Sequence, residues 1–193
     1  MIKIGILGDI GSGKSFVAKT FGYPVFNADN EVAKLYSTDR KIYTKLKKQL
    51  PKYIVSFPVR KQEIVRAILS NNSNLKKIVK IVHAEIRIKM SLFLKKNKNK
   101  KIIILDIPLL LENKINQKGD ILIFVNSKKI EILKRLRKRK NFNKKLFKKF
   151  KNIQLPIAYK KNKSDFIIKN DFTKKTVKKG IKFILNKLIK WEK

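Results

Sequence analysis

Apolar positions along this chain follow two rhythms. Short, mainly apolar runs at residues 2–7, 23–26, 102–106, 121–125 and 166–168 read as strands. The run at 102–106, continuous and β-branched, has the character of a central strand buried on both faces of a parallel sheet. Between these runs the apolar residues recur at intervals of three and four, as on one face of a helix. Val32, Leu35 and Tyr36 begin one such helix, Ile64, Val65, Ile68 and Leu69 mark another, and Leu75, Ile78, Val79, Val82, Ile86 and Met90 a third. Ile130, Leu133 and Leu136 predict a helix for which Ser127 is a plausible N-cap, and Val177, Ile181, Ile184, Leu185 and Leu188 predict the last one. A helix over 14–21 joins the first two strands, which begins a βαβ pattern and an α/β class. From Asn30 the chain stays helical for some sixty residues up to a basic turn at 95–101, a length between strands that points to an inserted substrate-binding subdomain.

Composition narrows this picture. A chain of 193 residues with 43% hydrophobic content suits one domain with a substantial core. There are no cysteines, so disulfides and thiolate metal sites are excluded. No charged and apolar leader precedes the first strand, and the most apolar stretch, 102–111, contains Asp106 and Pro108 and is too short to span a bilayer. A cytoplasmic protein with no membrane association is expected. The formal charge of +37 would attract any polyanion at low salt, and so raises an RNA-binding reading. Against it, only seven of the 50 basic residues are Arg, and the Lys residues are scattered along the whole chain as a solvated surface would have them. No specific nucleic-acid partner is expected.

The chemistry starts at the end of the first strand. Gly8, Asp9, Ile10, Gly11, Ser12, Gly13, Lys14 and Ser15 match G-x-x-x-x-G-K-[ST], with Phe16 next in the helix. Glycines at these positions let successive backbone N–H groups turn toward phosphate oxygens, Lys14 adds a point charge, and Ser15 supplies a hydroxyl for magnesium. Asp9 brings a negative charge to that loop and is expected to turn away from the phosphates. Asp29 follows the second strand, where a carboxylate can accept a proton from a substrate hydroxyl or, equally, cap the helix that begins at Asn30. Asp106 closes the central strand in a Walker-B-like position, and Glu112 lies close enough to share that mouth. Arg135 and Arg139, four apart, would share one helix face and could reach one anion. His83, flanked by Val79 and Ile86, reads by itself as a half-buried structural histidine.

Taken together these positions resemble dephospho-CoA kinases over nearly the whole chain. Residues 8–15 are similar to that family's P-loop, with Asp9 in place of a usual glycine. Asn27, Ala28 and Asp29 resemble its Asp-Ala-Asp signature, with Asn27 for the first acid. His83, Ala84 and Arg87 resemble His-Pro-x-x-Arg, with Ala84 for proline, and Pro108, Leu109, Leu110 and Glu112 fit its Pro-Leu-Leu-x-Glu motif. Gln154, Lys160, Asp165 and Asn170 match the order and spacing of its tail, and Phe150 stands, between Lys149 and Lys151, where a lid arginine is common.

The resemblance implies a P-loop NTPase fold, a five-stranded parallel sheet flanked by helices with a helical substrate-binding insertion and a lid. The core would take approximately 1–29, 101–137 and 152–193, the CoA-binding insertion 30–100 and the lid 138–151. It implies ATP and dephospho-CoA as partners, magnesium as cofactor, and a monomer or small homo-oligomer. The implied catalytic residues are Asp29 as base with Lys14, Arg135 and Arg139. ATP would be bound by 8–16, magnesium by Ser15, and the acceptor by Asp29, His83, Arg87, Pro108, Leu109 and Glu112. Another P-loop nucleoside or nucleotide kinase, or an RNA-binding P-loop protein, are the alternatives.

Overall fold

The computed structural model describes residues 1–139 and 142–191, with side chains up to Leu188. Lys140 and Asn141, in the expected lid, lie outside the described residues, as do the last two residues of the chain. The described residues divide into two compact units, one of 1–27, 97–142 and 150–193 built on a sheet, the other of 28–96 and 143–149 built from helices.

Five strands form the sheet: β1 (Ile2–Gly8), β2 (Val25–Asn27), β3 (Ile102–Asp106), β4 (Ile121–Asn126) and β5 (Phe166–Lys169). They are all parallel, in the order β2-β3-β1-β4-β5. The apolar run of β3 is buried at every position, as its unbroken pattern requires. Ile4 and Ile6 of β1, Ile104 of β3, Ile123 and Val125 of β4 and Ile168 of β5 share one face. They pack against Val17, Ala18 and Phe21 around α1 (Lys14–Thr20) and against Val177, Ile181, Ile184 and Leu188 of the C-terminal helix Lys174–Trp191. The opposite face is closed in part by Leu110, whose methyl would stand 2.7 Å from a Cβ at Gly5. Because β1 is flanked by β3 on one side and β4 on the other, the strand order reverses around it. Open α/β sheets bind ligands at the carboxyl ends of the strands next to such a reversal.

The helical unit holds α2 (Ala28–Thr38), α3 (Arg40–Gln49), α4 (Lys61–Ser70) and α5 (Asn72–Lys96). The hydrophobic pattern predicts three helices here, and α3 is the fourth. It buries only Ile42 and Leu46 on an otherwise Lys-rich surface, too few apolar positions for a periodic signal, and is started by Asp39, whose Oδ1 accepts from Ile42 N at 3.0 Å. In the sheet unit α6 (Lys129–Arg137) follows β4, with Lys128 rather than Ser127 at its N-cap. Ser127 Oγ donates instead to the carbonyl of Ser12, 2.9 Å away, so its hydroxyl supports a loop rather than a helix end. Two more helices, α7 (Lys144–Asn152) and α8 (Ile157–Asn162), precede β5 and the C-terminal helix, α9. Asn143 starts α7, accepting from Leu146 N through Oδ1 at 2.9 Å. Residues up to Lys149 group with the helical unit, where Lys149 Nζ donates to the Ile68 carbonyl, and Phe150 onward group with the sheet unit. Among the described residues no helix is long and apolar enough to cross a membrane.

Candidate active site

Polar residues end four strands of the sheet, Asn27 on β2, Asp106 on β3, Asn126 on β4 and Lys169 on β5, while β1 runs into the glycine loop. That loop takes the course its composition calls for. Gly11 and Gly13 sit at φ 82° and 89°, in the left-handed region where a side chain is strained. At Gly13 a Cβ would also meet Asn170 Nδ2 at 2.4 Å. The loop is fastened from β4 and β5. The Ser12 carbonyl accepts from Asn170 Nδ2 at 2.8 Å and from Ser127 Oγ at 2.9 Å, while Asn170, 1% exposed, receives Phe172 N on its Oδ1 at 2.8 Å. Inside the loop Ser12 Oγ is buried and lacks a hydrogen-bond partner. Lys14 Nζ donates to the carbonyl of Asp9 at 2.9 Å and lies 3.3 Å from that of Gly8, which holds the ammonium over the loop, and Ser15 and Phe16 are exposed at the start of α1.

Asp9 is not left as bare negative charge. Its Oδ1 accepts from Ile10 N at 2.7 Å, and Lys151 Nζ reaches its two oxygens at 2.6 and 2.8 Å. Both residues line a cavity of about 260 Å³ with Ser12, Ser127 and Lys129. The second acid of the strand ends is likewise occupied. Asp106, 3% exposed, accepts on Oδ2 from Asn27 Nδ2, its register partner across β2 and β3. An amide at 27 therefore gives Asp106 a donor where a carboxylate would give it a like charge. Asn27→Asp is expected to destabilise the protein by about 2 kcal/mol, because it replaces a donor to Asp106 with a second carboxylate. Thermal melts test it, and an unchanged Tm would mean that the two groups do not face each other.

One expectation about the arginines needs correction. α6 ends at Arg137, so Arg139 lies beyond the helix and helical spacing does not put it on the face of Arg135. Arg135 instead holds its guanidinium 4.3 Å from the centre of the Phe172 ring, a stacking contact whose lower member also packs beside Gly13. Glu112 has its partners close by. It forms an ion pair with Lys160 at 2.7 Å and accepts from Leu155 N at 3.0 Å, with Lys160 almost fully buried. Burial by itself would push the Glu112 carboxyl up, but the hydrogen bond from Lys160, the backbone donors and the Lys160 charge outweigh it and hold the group below its ordinary value. Pro108 and Leu109 precede Glu112 in a tight turn, with Leu109 at φ 57°.

In the helical unit Asp29 is exposed in the first turn of α2. The helix begins one residue earlier, at Ala28, so Asp29 is not its cap as the sequence allowed. His83 and Arg87 sit four apart on α5, which brings them to one face. Partial burial and then the Arg87 charge lower the His83 pKa, so the ring is neutral at pH 7. This unit also contains a cavity of about 570 Å³ lined by Val55, Ser56, Arg60, Gln62, Glu63 and Arg66, where Glu63 Oε1 accepts from Ser56 Oγ at 2.8 Å. Nothing in the spacing of these six singles them out. Asn170 was legible as a position of the tail motif and Lys151 only as a neighbour of Phe150, and in neither case was the partner visible, because it lies far away in sequence.

Comparison with known proteins follows the same lines. A family model described as dephospho-CoA kinase matches residues 2–176. A dephospho-CoA kinase of Wolbachia sp. subsp. Brugia malayi (strain TRS) is 34% identical over 96% of this chain and 97% of the relative. Among solved structures, a Thermus thermophilus protein superposes with a TM-score of 0.76 at 26% identity, covering 97% of each chain. The dephospho-CoA kinase of Campylobacter jejuni shares the fold, with a TM-score of 0.61 at 20% identity over 96% of each chain.

Proposed function

The chain belongs to the dephospho-CoA kinase family, and on that premise we propose how its residues divide the transfer of the ATP γ-phosphoryl group to the ribose 3′-hydroxyl of dephospho-CoA. The loop at 8–15 carries the donor half: two glycines at positive φ, an ammonium held over the loop, and a crown pinned by Ser127 and Asn170. A loop fixed in this way presents its N–H groups to phosphate oxygens with little reorganisation. Ile10, Ser12 and Phe16 complete the ATP-binding stretch, and Lys14 attracts the phosphates.

Ser15 presents an exposed hydroxyl beside the loop, a hard oxygen donor of the kind magnesium takes together with phosphate oxygens. Bound there, magnesium supplies positive charge to the phosphates. On the acceptor side His83 and Arg87 contact dephospho-CoA, and Pro108 and Leu109 form a wall that Glu112 braces through Lys160. The 3′-oxygen attacks the γ-phosphorus as the bond to the β,γ-bridging oxygen breaks, the hydroxyl proton passes to Asp29, and ADP departs. Arg135 and Arg139 counter the charge on the donor, Arg135 from its stack on Phe172. Residues 30–100 serve as the CoA-binding insertion and 138–151 as a lid that keeps water from the donor. In this reading the enzyme works in the cytoplasm, as a monomer or small homo-oligomer.

A coupled ADP-release assay over candidate acceptors tests the reading. ADP formation is expected with dephospho-CoA and not with nucleosides or nucleotides lacking its pantetheine arm. Equal rates across acceptors would favour a general nucleoside or nucleotide kinase, and salt-sensitive RNA binding without any phosphorylation would favour the RNA-binding alternative.

A further inference from the structure

An acidic residue in an anion-binding loop is an electrostatic contradiction, because a carboxylate beside the triphosphate opposes the binding that the loop serves. In this protein the contradiction has a local answer. Lys151 Nζ lies 2.6 Å from Asp9 Oδ1 and 2.8 Å from Oδ2, so one ammonium spans the carboxylate. Ile10 N occupies Oδ1 as well, at 2.7 Å, which fixes the carboxylate against its own loop. The Asp9 side chain is 16% exposed and that of Lys151 39%, so the pair is partly shielded from solvent screening. The same Asp9 contributes its main-chain oxygen to Lys14 Nζ at 2.9 Å. Asp9 thus joins the ammonium that attracts phosphate to the last turn of α7, 142 residues along the chain.

We propose that Lys151 is a positioning residue for ATP binding, which acts through Asp9 by neutralising and fixing the carboxylate that the loop carries. Its effect on the nucleotide is therefore conditional on Asp9. With Asp9 present, loss of Lys151 exposes an unbalanced negative charge at the phosphate site. With Asp9 neutral, the same loss exposes nothing. The proposal rests on the phosphate-binding role of 8–15.

Steady-state kinetics of K151M, D9N and the D9N/K151M double variant test this conditional effect, with thermal melts as the check on folding. K151M is expected to raise the KM for ATP on the order of tenfold, as one unit charge at roughly 10 Å and an effective dielectric of about 20 would. Its kcat should change little, and the effect should weaken as salt is raised. D9N and the double variant are expected to share one KM, at or below the wild-type value, because a Lys151 released from Asp9 turns to solvent, where its charge is screened. A KM that rises from D9N to the double variant as much as from wild type to K151M would overturn the proposal, since Lys151 would then act on the nucleotide without Asp9. So would a fall in kcat at unchanged KM. Failure of ATP binding in the wild-type protein would count against the loop's assignment itself, which separates the two readings.

Discussion

Asp29→Asn is expected to lower kcat by about 10² to 10⁴-fold while the KM for ATP stays largely unchanged, the range that positioned proton transfer contributes. The substitution keeps size and hydrogen-bonding shape but removes the basic oxygen, so it separates a base from a structural carboxylate. The alternative role has been narrowed by the helix itself. α2 starts at Ala28, which leaves Asp29 in its first turn, exposed, with Glu31 as a second acid nearby. A carboxylate there that served only the helix dipole would be worth about 0.3 to 1 kcal/mol of stability and nothing in turnover. Single-turnover measurement of ADP formation at saturating ATP and dephospho-CoA is the direct readout. A kcat within a few-fold of wild type, paired with a small fall in Tm, would move Asp29 from chemistry to helix support.

The sheet was legible in the sequence because its three central strands are buried on both faces, and such strands need no alternation to be seen. Ile102–Asp106 carries the whole signal in five residues. The loop at 8–15 was equally plain, since glycine at φ 82° and 89° is a backbone requirement that leaves a mark in residue identity. What stayed hidden is what depends on long-range pairing. Glu112 and Lys160 read as residues of two separate motifs until they are seen paired, and Asp9 reads as a misplaced charge until Lys151 is seen against it. Arg135 and Arg139 misled for the opposite reason: a four-residue spacing means a shared face only while the helix lasts, and α6 stops at Arg137. α3 escaped because a helix held by Ile42 and Leu46 alone is mostly Lys-covered surface.

Glu112→Ala is expected to destabilise the protein by about 3 to 5 kcal/mol, the effect of leaving a buried charge without its partner, and to lower Tm on the order of 10 °C. Two groups lose their acceptor at once. Lys160 Nζ, 2.7 Å from the carboxylate on a side chain 4% exposed, has no water to turn to, and Leu155 N loses its oxygen at 3.0 Å. Its pH dependence follows from the lowered Glu112 pKa. A carboxyl held below its unfolded value of 4.5 contributes stability that is present above that pH and lost as pH falls through the folded value. The gap in Tm between wild type and Glu112→Gln should therefore close in acid. Replacing both partners, as in Glu112→Leu with Lys160→Met, should be milder than either single change, because it removes two desolvated charges together. If Glu112→Ala melts like wild type but raises the KM for dephospho-CoA, the carboxylate touches the acceptor directly and the brace is incidental. If it melts early and the residual folded enzyme keeps its KM, Glu112 shapes the turn at Pro108 and Leu109 from behind.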